Sequence, residues 1–329
     1  MTILNVSKLT KRYDQRSVKG VSDISFNLKA NEKLFIVGPS GSGKTTLLNL
    51  LAQEFDSDSG IINCDSSQKI VKLNTELEND INISVFQYLT ESIKDDIAPE
   101  ESENLIRSNL SYFELTNEIH QNVNTLSTGQ KQRLCLVKFF NENPTIALFD
   151  EPFSNIDFTL RDEIMSLINE YLKDKDIASI WVTHDIAFVL EYAQETLILN
   201  HGEMVAYGNI NDLYFSPPNI FTAKVLAMSN PIMCSSNKIE IFNRPYSLDD
   251  EQLEDISDEI VFLIRPDQIH ISQDGEYKAK VLESKFKGHY YSNLLEIDNK
   301  KLRAYSPSKQ RGTIKFTLDK DLYFIRGIQ

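Results

Sequence analysis

One stretch constrains this chain more than any other: Gly38, Pro39, Ser40, Gly41, Ser42, Gly43, Lys44, Thr45 and Thr46 in series. It satisfies the G-x-x-x-x-G-K-[ST] pattern, and its surroundings fit. Leu34–Val37 ahead of it is a short apolar run of strand type, and Leu47, Leu48, Leu50 and Leu51 behind it sit at helical spacing. Strand, glycine turn and helix N-terminus in series form an anion cradle. Successive backbone N–H groups converge on phosphate oxygens, and the glycines allow the dihedrals and close approach this needs. Lys44 then reaches the β- and γ-phosphates, and the Thr45 hydroxyl binds Mg²⁺. A bare Gly/Ser turn between strand and helix is the plainer alternative. The complete pattern in this setting favours a nucleotide.

Farther along, short apolar runs alternate with helical patterns. Thr145–Phe149 reads as a buried strand ending in Asp150-Glu151, and Ala178–Val182 as one ending in Thr183-His184-Asp185. Ile83–Gln87 reads as another, ending in a glutamine. Such alternation predicts α/β architecture, a mostly parallel sheet covered by helices. Sheets of that kind place ligands at strand C-terminal ends. Asp150 suits Mg²⁺, directly or through water. Glu151 can polarise an attacking water. The pair also fits a plain acidic turn, but beside a phosphate loop the metal and water roles outweigh it. Ser127 with Gln130 three residues later, ahead of a helix expected over 131–140, forms a capping-box pattern.

At 329 residues the chain suggests two domains, with 41% apolar and 25% charged residues, ordinary for a globular protein. The boundaries expected are 1–229 for a nucleotide-binding domain, 230–258 for an acidic linker, and 259–329 for a small all-β module. A formal net charge of −14 opposes binding to nucleic acid or an anionic lipid surface. Cys64, Cys135 and Cys234 are odd in number and far apart, which points to a reducing compartment rather than a disulfide framework or zinc site. The N-terminus shows no basic-then-apolar leader, and no run approaches the roughly 18 apolar residues of a membrane helix. A cytoplasmic chain, or one held at a membrane by a partner, is the expectation.

Leu126-Ser-Thr-Gly-Gln-Lys-Gln-Arg133, between the phosphate loop and the Asp-Glu strand, resembles the Leu-Ser-Gly-Gly-Gln signature of ABC-transporter ATPases. The resemblance covers roughly residues 1 to 229. It implies a P-loop NTPase with a mostly parallel sheet and a helical subdomain. By the same resemblance Tyr13 stacks on adenine, and Gln87 in Val-Phe-Gln senses the metal and the attacking water. Ser127, Gly129 and Gln130 reach the γ-phosphate of a second copy, Asp157 lies in the loop crossing to that copy, and His184 contacts the γ-phosphate. A weaker second part, Ile264-Arg-Pro-Asp-Gln-Ile269 and Phe286-Lys-Gly288, resembles the OB-like (TOBE-like) C-terminal domain of importer ATPases for ferric iron, polyamines, sulfate, molybdate and sugars.

The function implied is an ATP- and Mg²⁺-dependent ATPase, dimerised head to tail, peripheral at the cytoplasmic face of the cell membrane. It would energise permease subunits fed by a solute-binding protein, with ferric iron or polyamine as first cargo. A non-transport ABC ATPase and a nucleotide-binding regulator are the alternatives. Two departures stand out: Thr128 replaces the first glycine of the signature, and the helical region after Gln87 is short.

Overall fold

A computed structural model describes residues 1–13, 19–75, 77, 81–93, 98–154, 158–227, 229–235, 239–246, 259–320 and 322–326. The chain divides into two compact units, Met1–Tyr207 and Gly208–Gln329.

The first unit opens with β1 (Thr2–Arg12), β2 (Lys19–Lys29), β3 (Lys33–Val37), α1 (Lys44–Leu51), β4 (Ser59–Cys64) and β5 (Ile70–Lys72). Next come α2 (Val85–Ser92), α3 (Pro99–Tyr112) and α4 (Thr128–Phe140). They are followed by β6 (Ile146–Asp150), α5 (Phe158–Asp174), β7 (Ala178–Val182), α6 (Ile186–Tyr192), β8 (Glu195–Asn200) and β9 (Glu203–Asn209), whose last residues pass into the second unit. The principal sheet has the order β5-β6-β7-β3-β8-β9. β5, β6, β7, β3 and β8 pair in parallel. A second, antiparallel sheet has the order β2-β1-β4.

Strands buried on both faces are largely apolar: Leu34–Val37, Ile146–Phe149 and Ala178–Val182 are all fully or nearly fully buried, and the one polar residue among them, Ser179, accepts from Trp181 Nε1 at 2.8 Å. The apolar face of α1, Leu47, Leu48, Leu50 and Leu51, closes the core between the two sheets. α3 is tied to the rest by a buried polar chain. Asn109 Nδ2 donates to Asn141 Oδ1 at 2.7 Å, and the Tyr171 hydroxyl donates to Asn109 Oδ1 at 2.9 Å. Aromatic packing surrounds that chain, with Phe140 and Tyr171 centroids 4.2 Å apart.

The second unit begins with α7 (Ile210–Phe215) and α8 (Ile220–Leu226), then β10 (Asn230–Ser235), β11 (Glu240–Ile241), β12 (Arg244–Pro245) and β13 (Glu259–Ile264). β14 (Ile269–Ile271), β15 (Tyr277–Phe286), β16 (Tyr291–Ile297), β17 (Lys300–Ser306), β18 (Thr313–Leu318) and β19 (Tyr323–Arg326) complete it. The order β14-β18-β15-β16-β17 gives a five-stranded antiparallel sheet, and β10-β13-β19 a three-stranded one. This antiparallel half-barrel is OB-like, as the sequence led one to expect.

The division between units falls earlier than the expected 229/230 boundary. Ala223 on α8 packs against Val261 and Leu263 of β13, so the helices before residue 229 belong with the second core. The expected linker also begins as structure. Asn230–Ser235 pairs residue for residue with β13, and Ile232, Cys234, Ile241 and Phe242 enter the β-module's core. Residues 236–238 and 247–258 of that stretch lie outside the described residues.

Candidate nucleotide site

The phosphate loop leaves β3 and turns into α1, as its sequence demands. Gly43 is the N-cap of α1, in a left-handed conformation at φ 101°. A Cβ there would stand 2.3 Å from the carbonyl oxygen of Gly20. Both the dihedral and the contact require glycine, so Gly43→Ala is expected to cost at least about 1–3 kcal/mol of stability, measured by denaturant unfolding. The turn after β8 buttresses the loop, Gly202 N–H donating to Ser42 O at 3.0 Å.

Lys44 folds back over the loop and donates to Gly38 O at 2.9 Å and Pro39 O at 3.0 Å. Burial pushes its ammonium below the ordinary lysine range, and the charges of Glu151 and Asp150 partly restore it. Thr45 Oγ1 lies 3.4 Å from Asp150 Oδ1, with the hydroxyl donating. Asp150, at the end of β6, is itself pushed up by burial. Lys72, the Thr45 bond and Lys44 oppose the shift, and Glu151 adds to it. A hydroxyl and a carboxylate side by side, with a lysine next to them, form a donor set of hard oxygens suited to Mg²⁺.

Glu151 follows in a left-handed conformation at φ 45°, its N–H donating to Val182 O at 2.9 Å. That bond carries the β6–β7 pairing one residue past Asp150 and brings Glu151 beside His184, which follows β7. Glu151 Oε1 and His184 Nδ1 are 2.8 Å apart, with the ring N–H donating to the carboxylate. Both groups edge a cleft of about 150 Å³ shared with Phe153, Ser154, Arg161 and Asp185.

Tyr13 is half exposed, its hydroxyl 3.3 Å from Thr46 Oγ1 and its ring edge-on to Phe55. Ser127 caps α4, and the capping box with Gln130 is complete in both directions: Gln130 N–H to Ser127 Oγ at 3.3 Å, Ser127 N–H to Gln130 Oε1 at 2.9 Å. Ser127 and Thr128 are exposed, so the helix terminus faces outward. Asp157 lies outside the described residues.

A sequence profile for the ABC transporter family matches residues 21–154, from β2 through the Asp-Glu strand end. The first unit is an ABC transporter ATP-binding domain. The chain is 29% identical over 321 residues to the spermidine/putrescine import ATP-binding protein PotA of Mesoplasma florum, covering 91% of this chain and 90% of the relative. The protein of the same name from Clostridium novyi is 27% identical over 329 residues, covering 95% and 94%. The fold matches that of a nucleotide-free ATP-binding cassette from an ABC transporter with TM-score 0.55 at 21% identity, over 64% of this chain and 92% of that one.

Within the ABC domain one expectation needs correction. Gln87 does not end a strand. Ser84 caps α2, and Gln87 is the third residue of that helix, its side chain accepting from the Ser84 N–H at 3.1 Å while Ser84 Oγ accepts from the Gln87 N–H at 3.2 Å. On the side away from β7, β6 pairs with β5, which ends at Lys72. The carbonyl oxygen of the exposed Gln87 side chain is engaged in that cap. The signal that could have shown this is Ser84-x-x-Gln87, the same capping pattern as Ser127-x-x-Gln130.

Lys72 is the residue that sequence reading missed. Its ammonium donates to Asn49 Oδ1 on α1 and pairs with Glu54 Oε1 at 3.0 Å. Arg161 was missed too; it pairs with Asp185 at 2.5 Å and lies over the Phe188 ring.

Proposed function

We propose that this chain is the ATP-binding and ATP-hydrolysing subunit of a membrane importer, with a polyamine as cargo. Alignment with spermidine/putrescine import ATP-binding proteins over about nine-tenths of both chains is the observation that carries this reading. The site chemistry is consistent with it. N–H groups of the phosphate loop and the N-terminus of α1 bind the triphosphate, and Lys44 leaves its carbonyl partners to donate to the β- and γ-phosphates. Thr45 and Asp150 would hold Mg²⁺, which when bound neutralises charge on the phosphate oxygens. Tyr13 offers its open face to adenine. Glu151 takes the proton of the attacking water, and His184, bonded to that carboxylate, orients it.

The site is read as composite. The exposed Ser127 of a second copy, with its Gly129 and Gln130, would close over the γ-phosphate, with Asp157 in the loop between copies. Ser127 and Gly129 are kept on either side of Thr128, which supports turnover in spite of the missing glycine. Permease subunits, and through them a solute-binding protein, are the further partners, with the chain peripheral at the cytoplasmic face. No helix among the described residues is long and apolar enough to cross a membrane. The second unit is read as a TOBE-like module.

Purified protein is expected to hydrolyse ATP only with Mg²⁺ present, and cells lacking the chain to lose uptake of labelled spermidine or putrescine. Hydrolysis with unchanged polyamine uptake would remove the cargo assignment, and absence of hydrolysis would favour a nucleotide-binding regulator. Gln87→Ala is expected to leave hydrolysis at the parental rate. Ser84→Ala should cost about 0.5–2 kcal/mol of stability through the lost cap, read by thermal melting.

A further inference from the structure

In the principal sheet β3, β6 and β7 each deliver a group to the nucleotide edge from their C-terminal ends: the phosphate loop, Asp150-Glu151 and His184. β5 is the outer parallel neighbour of β6, and its own C-terminal residue is Lys72, in register with Leu148. The pairing runs one residue beyond, Leu73 N–H donating to Leu148 O at 2.8 Å, so this strand end is held firmly. The Lys72 side chain is only 21% exposed. It donates to Asn49 Oδ1, and Asn49 sits one helical turn after Thr45 on α1. Thr45 in turn touches Asp150 on the strand next to β5. Lys72, Asn49, Thr45 and Asp150 thus close a ring joining α1 to two adjacent strands.

We propose that Lys72 is a positioning residue of the nucleotide site: its bond to Asn49 locks α1 against β5 and β6 and so sets the separation of Thr45 and Asp150, the pair that would share Mg²⁺. Glu54 pairs with the ammonium at 3.0 Å, and Asn49→Ala isolates the geometric tie from the Lys72 charge that also acts on Asp150. Lys72 also edges a cleft with Asn74, Tyr88 and Lys138, and Lys138 Nζ donates to the Tyr88 hydroxyl at 3.0 Å. Tyr88 is on α2. The strand end therefore lies beside the Thr45–Asp150 pair on one side and the helical segment on the other.

The inference rests on the proposed nucleotide site, and its test reads binding separately from turnover. ATP affinity is measured with Mg²⁺ and with EDTA, alongside kcat, for the parent, Lys72→Met, Lys72→Arg, Asn49→Ala and Glu54→Gln. Groups that orient metal ligands typically contribute about 10–100-fold in metal affinity or activity. Lys72→Met and Asn49→Ala should each lose about that much of the Mg²⁺-dependent gain in ATP affinity and a similar factor in kcat, while affinity in EDTA stays at the parental value. Lys72→Arg should recover most of the loss, and Glu54→Gln should match the parent. If Lys72→Met fails to fold, Asn49→Ala reads the same tie from its other end. Parental behaviour of Lys72→Met and Asn49→Ala, failure of Lys72→Arg to recover function, or an equal loss in Glu54→Gln would each overturn the assignment. A parent that binds ATP with Mg²⁺ dependence but does not hydrolyse it would remove the ATPase reading, with the role of Lys72 still decided by the binding ratio.

Discussion

Glu151→Gln is expected to lower the rate of ATP hydrolysis by about 10²–10⁴-fold, the range a positioned general base supplies. That corresponds to about 3–5 kcal/mol of transition-state free energy. The substitution keeps the volume of the side chain and an oxygen that can accept from the His184 ring, so the fold around Glu151 should persist. Only the ability to take a proton is lost. Binding should move the opposite way. The negative charge of Glu151 is the foremost one acting on Lys44, and it also opposes the triphosphate. Removing it tightens ATP while stopping turnover, so an ATP-bound dimer should accumulate, visible by light scattering when ATP and Mg²⁺ are added. Hydrolysis within tenfold of the parent would sink the base assignment. Slow hydrolysis without a dimer would instead count against the composite site.

The sequence was most readable where chemistry and topology fall on contiguous residues. Gly38–Thr46, Asp150-Glu151 and His184 each follow a short apolar run, and each lies at the C-terminal end of β3, β6 or β7. A run such as Ile146–Phe149, short and wholly apolar between polar flanks, suits a strand buried on both faces, which places the polar residues after it at the sheet's edge. Gln87 failed because Val-Phe-Gln is too short to locate itself. Val85, Phe86 and Leu89 are as consistent with one face of α2 as with a strand, and only the Ser84 cap decides. β5 is three residues long and is defined by its pairing with β6, more than seventy residues away, which periodicity cannot reveal.

The same reason hid β10. Asn230–Ser235 looked like a boundary because a proline interrupts it, yet it pairs with β13 along its length. Pro231 is exposed there, and Asn230 bonds through its side chain to Ile264 O and Arg303 O, both at 2.9 Å. The capping box at Ser127 shows that two readings of one motif need not compete. The box exists, and it holds the exposed Ser127 hydroxyl at a helix terminus, where an anion is favoured.

Lys44→Met is the complementary experiment, with binding rather than chemistry as its readout. Burial disfavours the Lys44 ammonium, so the uncharged variant is relieved of that cost. Against this it loses donation to Gly38 O and Pro39 O. Pro39 is exposed and Gly38 partly so, so water can replace the lost donor and the net change in stability should be small. The nucleotide has no such substitute. A charge-assisted hydrogen bond is worth about 1.5–3 kcal/mol, so ATP affinity should fall by about 10–150-fold, measured by equilibrium binding of a fluorescent ATP analogue. The loss should be present in EDTA as well as in Mg²⁺, because Lys44 meets phosphate directly. Thr45→Val, by contrast, should weaken only the Mg²⁺-dependent part. The lowered lysine range adds a pH signature: parental ATP affinity should decline as pH rises through the depressed Lys44 titration, and Glu151→Gln should bring that decline to lower pH by removing the foremost charge that holds the ammonium protonated. An affinity in Lys44→Met equal to the parent's, in either metal condition, would mean that the Gly38–Thr46 loop does not hold the triphosphate in the way its geometry indicates.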